Sequence, residues 1–136
     1  MRNKEFHSLC GAITKVYQPA TSPPAHQDDD VYRLTFDHDL SMHLIGTQPG
    51  YINIVATFPA PEVWFAPEGM ESLLAENSFS LTHPAVIFGM DSKRKKLVIS
   101  TRQPLNELKE EGAVKLFQKV FHLAHGMYRG EDTPPG

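Results

Sequence analysis

Apolar and polar positions alternate along this chain in two distinct rhythms. Over residues 3–17, Phe6, Leu9, Cys10, Ile13, Val16 and Tyr17 recur every three or four positions, with Lys4, Glu5, Ser8 and Lys15 outside that stripe. The spacing predicts an amphipathic helix, which Gly11 weakens by about 1 kcal/mol relative to alanine. Pro19 to Asp30, rich in Pro, Ser, Thr and Asp, keeps no rhythm and predicts a loop. The period then changes to two. Tyr32, Leu34 and Phe36 alternate with Val31, Arg33 and Thr35, which predicts a half-buried strand. Asp37-His38-Asp39 reads as a turn, and a second strand runs from about Ser41 to Gly46. Pro49-Gly50 suits the centre of a type II turn, since Pro fixes one φ and Gly permits the positive one. Tyr51 to Phe58 alternates again, so the three strands predict an antiparallel meander.

Pro59, Pro61 and Pro67 mark a connection that carries Trp64 and Phe65. Met70, Leu73, Leu74 and Asn77 then share one face of a short helix, with Glu68 and Glu71 near its positive end. Ala85 to Met90 and Leu97 to Arg102 predict two further strands, joined by the polar hairpin Asp91–Lys96. After Pro104, Asn106 is placed to cap a last helix whose apolar positions are Leu108, Ala113, Val114, Leu116, Phe117, Val120, Phe121, Leu123, Ala124 and Met127. The predicted order is α-βββ-α-ββ-α, an α+β domain with a five-stranded antiparallel sheet and helices on one side. We find no internal repeat. One domain over 1–130 is expected, with 131–136 as a frayed tail.

Composition narrows the function classes. The chain has 136 residues, 40% of them hydrophobic, with 13 Lys+Arg against 16 Asp+Glu and a net charge of -3. That balance argues against a general nucleic-acid binder, which is normally basic. A single cysteine, Cys10, cannot form an internal disulfide, so no oxidising compartment is called for. The N-terminus leads into no continuous apolar run, and no stretch approaches the length of a membrane span; neither a secretory signal nor membrane insertion is expected.

Candidate chemistry is sparse. Asp37, His38 and Asp39 with His43 offer ligand types that suit Zn²⁺ and related ions, but adjacent residues on an extended chain point to opposite faces. A small metal-dependent hydrolase built on Asp37, His38 and His43 is therefore the weaker alternative, and no metal or cofactor is expected. His122 and His125 sit where the helix dipole alone favours a cation. Cys10 lies on an apolar face, where a free thiol packs as a small hydrophobe. Lys93 to Lys96 reads as a solvated hairpin tip. No catalytic constellation emerges. What does stand out is apolar surface: Phe6, Leu9, Ile13 and Val16, the broad face of the last helix, Met70, Leu73 and Leu74, and Trp64 with Phe65. That is more than one side of one sheet covers. Either an oligomer or partner takes the excess, or both sheet faces are partly covered.

The order of elements and one run of motifs resemble a known family. Leu73-Leu74-Ala75-Glu76-Asn77-Ser78-Phe79, then Phe88-Gly89-Met90-Asp91, Leu97-Val98-Ile99-Ser100 and Pro104-Leu105 resemble the class I type III secretion chaperones, and Leu34-Thr35-Phe36-Asp37, Leu44 and Ile52 to Ala56 fit that family's first strands. The resemblance covers about residues 3–128. It implies a small cytoplasmic bacterial protein, dimeric and not an enzyme, that binds the N-terminal chaperone-binding segment of a secreted effector. A heterodimer with a sister chaperone is the variant to homodimerisation. A regulator that sequesters another protein of the same system is the variant in function. The resemblance places Phe6, Leu9, Ile13 and Val16 of the first helix, with Leu34 and Phe36, at the effector groove. It places Met70, Leu73, Leu74 and Phe88 at the dimer contact.

Overall fold

A computed structural model of the chain describes residues 4–17, 30–36, 39–78 and 86–130. Most of the 19–30 segment, Asp37 and His38, His83 and Pro84, and the 131–136 tail lie outside the described residues. The elements are α1 (Lys4–Tyr17), β1 (Val31–Phe36), β2 (Leu40–Ile45), β3 (Tyr51–Pro59), α2 (Pro67–Ser78), β4 (Val86–Asp91), β5 (Lys96–Pro104) and α3 (Glu110–Tyr128), with 3-10 turns over Glu62–Phe65 and Leu105–Glu107. The predicted order α-βββ-α-ββ-α is the observed one.

The strands form one antiparallel sheet in the order β1-β2-β3-β5-β4. Tight links account for the first three strands. Between Gln48 and Tyr51, whose backbone groups bond at 3.1 Å, Gly50 takes a φ of 83°, which an L side chain resists. The stretch after β3 then carries the chain outward, so β4 forms the edge and the hairpin returns β5 between β3 and β4.

Register decides what the sheet buries. Tyr32, Leu44, Ile54, Thr101 and Val86 lie side by side across all five strands, as do Leu34, Met42, Ala56, Ile99 and Phe88. These rows face α1 and α3 and belong to the core. The neighbouring row, Arg33, His43, Val55, Ser100 and Ile87, points to the other side, where its residues are half-buried or exposed. α3 lies on the middle strands and against α1, so its wide apolar arc is used twice. Tyr17, Phe36, Phe117 and Phe121 join the layers, with Tyr17 and Phe117 ring centres 4.7 Å apart and Phe36 and Phe121 4.6 Å apart.

Two expectations change. Asn106 does not cap α3; it sits in the 3-10 turn, and the helix starts at Glu110. Pro104 and the burial of Leu105 fold the chain into that turn first, and Leu108 is extended before the helix begins. The apolar excess is also much smaller than its sequence suggests. One side of the sheet does cover it, because α1 and α3 pack on each other as well as on the strands, and Trp64 is buried too.

Candidate functional site

The large apolar side chains that stay exposed among the described residues are Val16 (54%), Val63 (43%), Met70 (37%), Leu74 (66%) and Ile87 (56%). Four of these five belong to α2, the turn before it and β4, with Ile87 on the open face of the sheet; Val16 is alone on α1. The structure therefore divides the expected contact residues into core and surface. Phe6, Leu9, Ile13, Leu34 and Phe36 are buried in this chain's own core. They shape the α1–β1 region from within, and of the five Leu9 also borders an open groove. The reason for their burial is geometric: α1 runs along β1, with Phe6 over Tyr32 (ring centres 5.8 Å apart) and Tyr17 near Phe36 (6.1 Å). Of that set only Val16, at the rim of the apolar stripe, faces outward.

The α1–β1 corner is fastened at its start. His7 donates from Nε2 to the Asp30 carboxylate at 2.7 Å, and the Tyr32 hydroxyl lies 2.7 Å from Nδ1. Asp30 adopts a φ of 59°, a left-handed conformation that Asp tolerates. Its carbonyl accepts from the Gly46 N–H at 2.8 Å. Gly46 leaves room for the Phe6 ring; a Cβ there would come within 2.5 Å of its Cγ. Since Asp30 bonds towards β2, alternation turns the backbone N–H and C=O of Val31, Arg33 and Thr35 outward. β1 pairs only with β2, so among the described residues this edge carries no further strand. A shallow groove of about 670 Å³ lies nearby, lined by Leu9, Leu105 and Leu108 with Lys4, Lys109 and Glu110. Ser8 donates to Glu110 across it at 2.8 Å, which ties α1 to α3.

The α2–β4 region is built differently. Leu73 points inward, whereas Met70 and Leu74 line the mouth of a pocket of about 230 Å³ with Phe88, Gly89 and Met90. Phe88 is half-buried. Asn77 bonds twice to the Phe88 backbone: its Nδ2 donates to the carbonyl at 2.6 Å and its Oδ1 accepts from the N–H at 2.8 Å. At the other end Gly69 packs against the backbone of Val63 and Trp64 so closely that no Cβ fits. The expected dimer residues thus come together at one place, with Leu73 beneath and Met70, Leu74 and part of Phe88 above. The bonding role of Asn77 was not read from the sequence, where an asparagine near a helix end signals only a terminus.

Ionisable groups add little chemistry. Burial, helped by the Asp30 carboxylate, pushes the Cys10 thiol pKa well up, which makes it a poor nucleophile. His43 stands opposite Arg33 on the open sheet face, and burial first, then that guanidinium, lowers its pKa. Among the described residues no three His, Cys, Asp or Glu gather as metal ligands. Asp37 and His38 of the hydrolase alternative are outside the described residues. No described helix is long and apolar enough to cross a membrane.

No family model matches the chain, and no curated protein matches it. Solved structures do. The Yersinia pestis type III secretion chaperone SycH, in complex with a stable fragment of YscM2, superposes with a TM-score of 0.67 at 11% identity, covering 90% of this chain and 98% of that one. The HopA1–SchA chaperone–effector complex gives 0.65 at 12% identity over 92% of this chain and 94% of that one. The fold is that of the type III secretion chaperones. The ExoT–SpcS complex from Pseudomonas aeruginosa agrees with this chaperone fold, with a TM-score of 0.63 at 16% identity over 93% and 99% of the two chains. So does YbjN from E. coli, suggested to be a transcription regulator, at 0.58 and 13% identity over 92% and 90%. At these identities the likeness speaks for the chaperone fold across nearly the whole chain.

Proposed function

We propose that this chain is a type III secretion chaperone of the bacterial cytoplasm, acting without catalysis. As a dimer it takes up the N-terminal chaperone-binding segment of a secreted effector and keeps that effector soluble, partly unfolded and competent for export. The observation that carries this reading is the end-to-end likeness in fold to a type III secretion chaperone and to a chaperone–effector complex.

The two surfaces suit two tasks. Along β1, outward N–H and C=O groups of Val31, Arg33 and Thr35 lie beside α1 and its exposed Val16. An extended segment gains backbone hydrogen bonds from such an edge and selectivity from the pockets beside it. Phe6, Leu9, Ile13, Leu34 and Phe36 hold that corner in shape. At α2 and β4, Met70 and Leu74 make an apolar contact for a second copy, with Leu73 and Phe88 as its floor. Charge favours the same pairing: α2 carries Glu68 and Glu71 with no basic residue, and the nearby hairpin carries Lys93, Arg94, Lys95 and Lys96. In a two-fold arrangement each acidic helix can face the partner's basic hairpin. A sister chaperone with a similar α2 would give the heterodimer.

The test is the mass of the purified protein together with protease protection of an effector's N-terminal segment. A dimer that shields such a segment is the expected result; a monomer with no affinity for any such segment overturns the proposal. The likeness in fold to ExsC, solved in complex with ExsE (TM-score 0.57 at 12% identity over 95% and 96% of the two chains), favours a second reading, a regulator that sequesters another protein of the same secretion system. Co-purification of a regulator in place of an effector from the native host is the outcome that reading expects.

A further inference from the structure

The sheet ends in two edges, and they are not alike. At β1 the outward groups of Val31, Arg33 and Thr35 meet no strand among the described residues. At β4 the N–H and C=O of Phe88 point away from β5, since both are engaged by Asn77, and by alternation those of Val86 and Met90 point the same way. The middle of this second row is therefore taken. A carboxamide presents one donor and one acceptor side by side, the same pair that a strand residue presents. Asn77 completes a one-residue bridge at 2.6 and 2.8 Å where a sixth strand would otherwise begin.

We infer that Asn77 is an edge stopper: α2, fastened by this carboxamide, closes β4 to strand addition and confines the docking of extended chains to β1. A strand added to β4 would sit about 4.8 Å away and bond through every second residue. Asn77 interrupts that row at its centre and leaves Val86 and Met90 as isolated neighbours on either side. The helix itself lies alongside β4, and Met70, Leu73 and Leu74 with Phe88, Gly89 and Met90 line the pocket between them. Sheet edges are commonly protected by covering them with a helix or loop, and here the cover is held by a side chain that imitates a strand. Both bonds are open to water, so the carboxamide acts by occupying the edge rather than by a large stabilisation. A second copy docking on Met70 and Leu74 consequently meets side chains of α2, and the sheet does not run on from one subunit into the next. This inference holds whether or not the chain binds an effector.

The test uses the full chain with Asn77→Ala, Asn77→Asp and the double variant Asn77→Ala/Met90→Pro. Amide hydrogen exchange and light scattering over a range of concentrations are the readouts. In Asn77→Ala the Phe88 amide should exchange about tenfold faster, as expected for the loss of one hydrogen bond of ordinary net strength. The Val98 and Ile99 amides should keep their rates, and the mass should grow with concentration beyond that of the unaltered chain. Met90→Pro removes an outward N–H from an edge strand, a position where proline is tolerated, and should reverse the growth. An unchanged Phe88 exchange rate, an unchanged mass at every concentration, or growth that the proline fails to suppress overturns the inference. Should Asn77→Ala not fold, Asn77→Asp decides. It keeps the acceptor for the Phe88 N–H but cannot donate to the carbonyl, so intermediate growth suppressed by Met90→Pro is expected and an unchanged mass overturns the inference.

Discussion

Replacing Leu74 by aspartate should separate assembly from folding. Leu74 is about two-thirds exposed, so the monomer derives little of its stability from this side chain. Full burial of a leucine contributes about 1.5–3 kcal/mol, and the exposed two-thirds corresponds to about 1–2 kcal/mol on contact with a partner. In a two-fold interface the position counts twice, which makes about 2–4 kcal/mol per dimer, or a rise in Kd between about 30-fold and about 700-fold. The carboxylate adds desolvation and lies on a helix already carrying Glu68 and Glu71, so the upper part of that range is expected. Sedimentation equilibrium measures the mass, with far-UV circular dichroism and the urea midpoint as checks on the fold. Val16→Asp supplies the contrast, because Val16 is similarly exposed but belongs to α1. It should leave the mass unaltered and weaken capture of an effector segment by about 1 kcal/mol, roughly fivefold. Retention of the dimer by Leu74→Asp at low micromolar concentration would refute the assignment of this patch to assembly. Loss of the dimer in Val16→Asp would refute the separation of the two surfaces.

Three further outcomes follow from the packing and the ionisable groups. Gly46→Ala places a Cβ within 2.5–2.7 Å of three atoms of the fully buried Phe6 ring and should cost about 1–3 kcal/mol in urea unfolding; combined with Phe6→Leu the losses should sum to less than the two separate values, and strict additivity would show that the ring is not what the new methyl meets. His43 has a pKa lowered from its ordinary 6.5 by burial and Arg33, so the unfolded chain binds its proton more readily than the folded one. Its stabilising effect is fully present above 6.5 and is lost as pH falls through the lowered folded value; urea midpoints between about pH 5 and pH 8 should show a shallower decline for His43→Gln, and an identical decline would count against it. Cys10, buried and with a raised pKa, should resist a thiol reagent in the folded protein and label at the rate of unfolding, whereas prompt labelling under native conditions would contradict its packing.

Alternation was readable in the strands because each has one face under the helices and one face open, and a period of two records that difference directly. Val31–Phe36 carries it so cleanly that its predicted and observed ends coincide. α1 and α3 were readable for the matching reason, a sustained stripe at helical spacing. α2 was readable as a helix but not in its orientation. It meets an edge strand instead of a sheet face, so of the adjacent pair Leu73 and Leu74 one turns in and the other out, and a stripe rule treats them alike. Which contact residues are buried and which exposed was not readable, for a deeper cause. Apolar character records burial without saying whether the same chain or another supplies the cover, and Phe6, Leu9, Ile13, Leu34 and Phe36 are written in the same letters as an interface. Only position within the stripe separates them: Val16 and Leu74 sit at its margins, where packing within one chain runs out. Asn77 shows the converse limit. Its bonds reach a strand eleven residues further on, and neither spacing nor residue type announces that pairing before the fold brings the two together. The surfaces available for binding in this chain are thus set less by where apolar residues occur than by which backbone edges the helices leave uncovered.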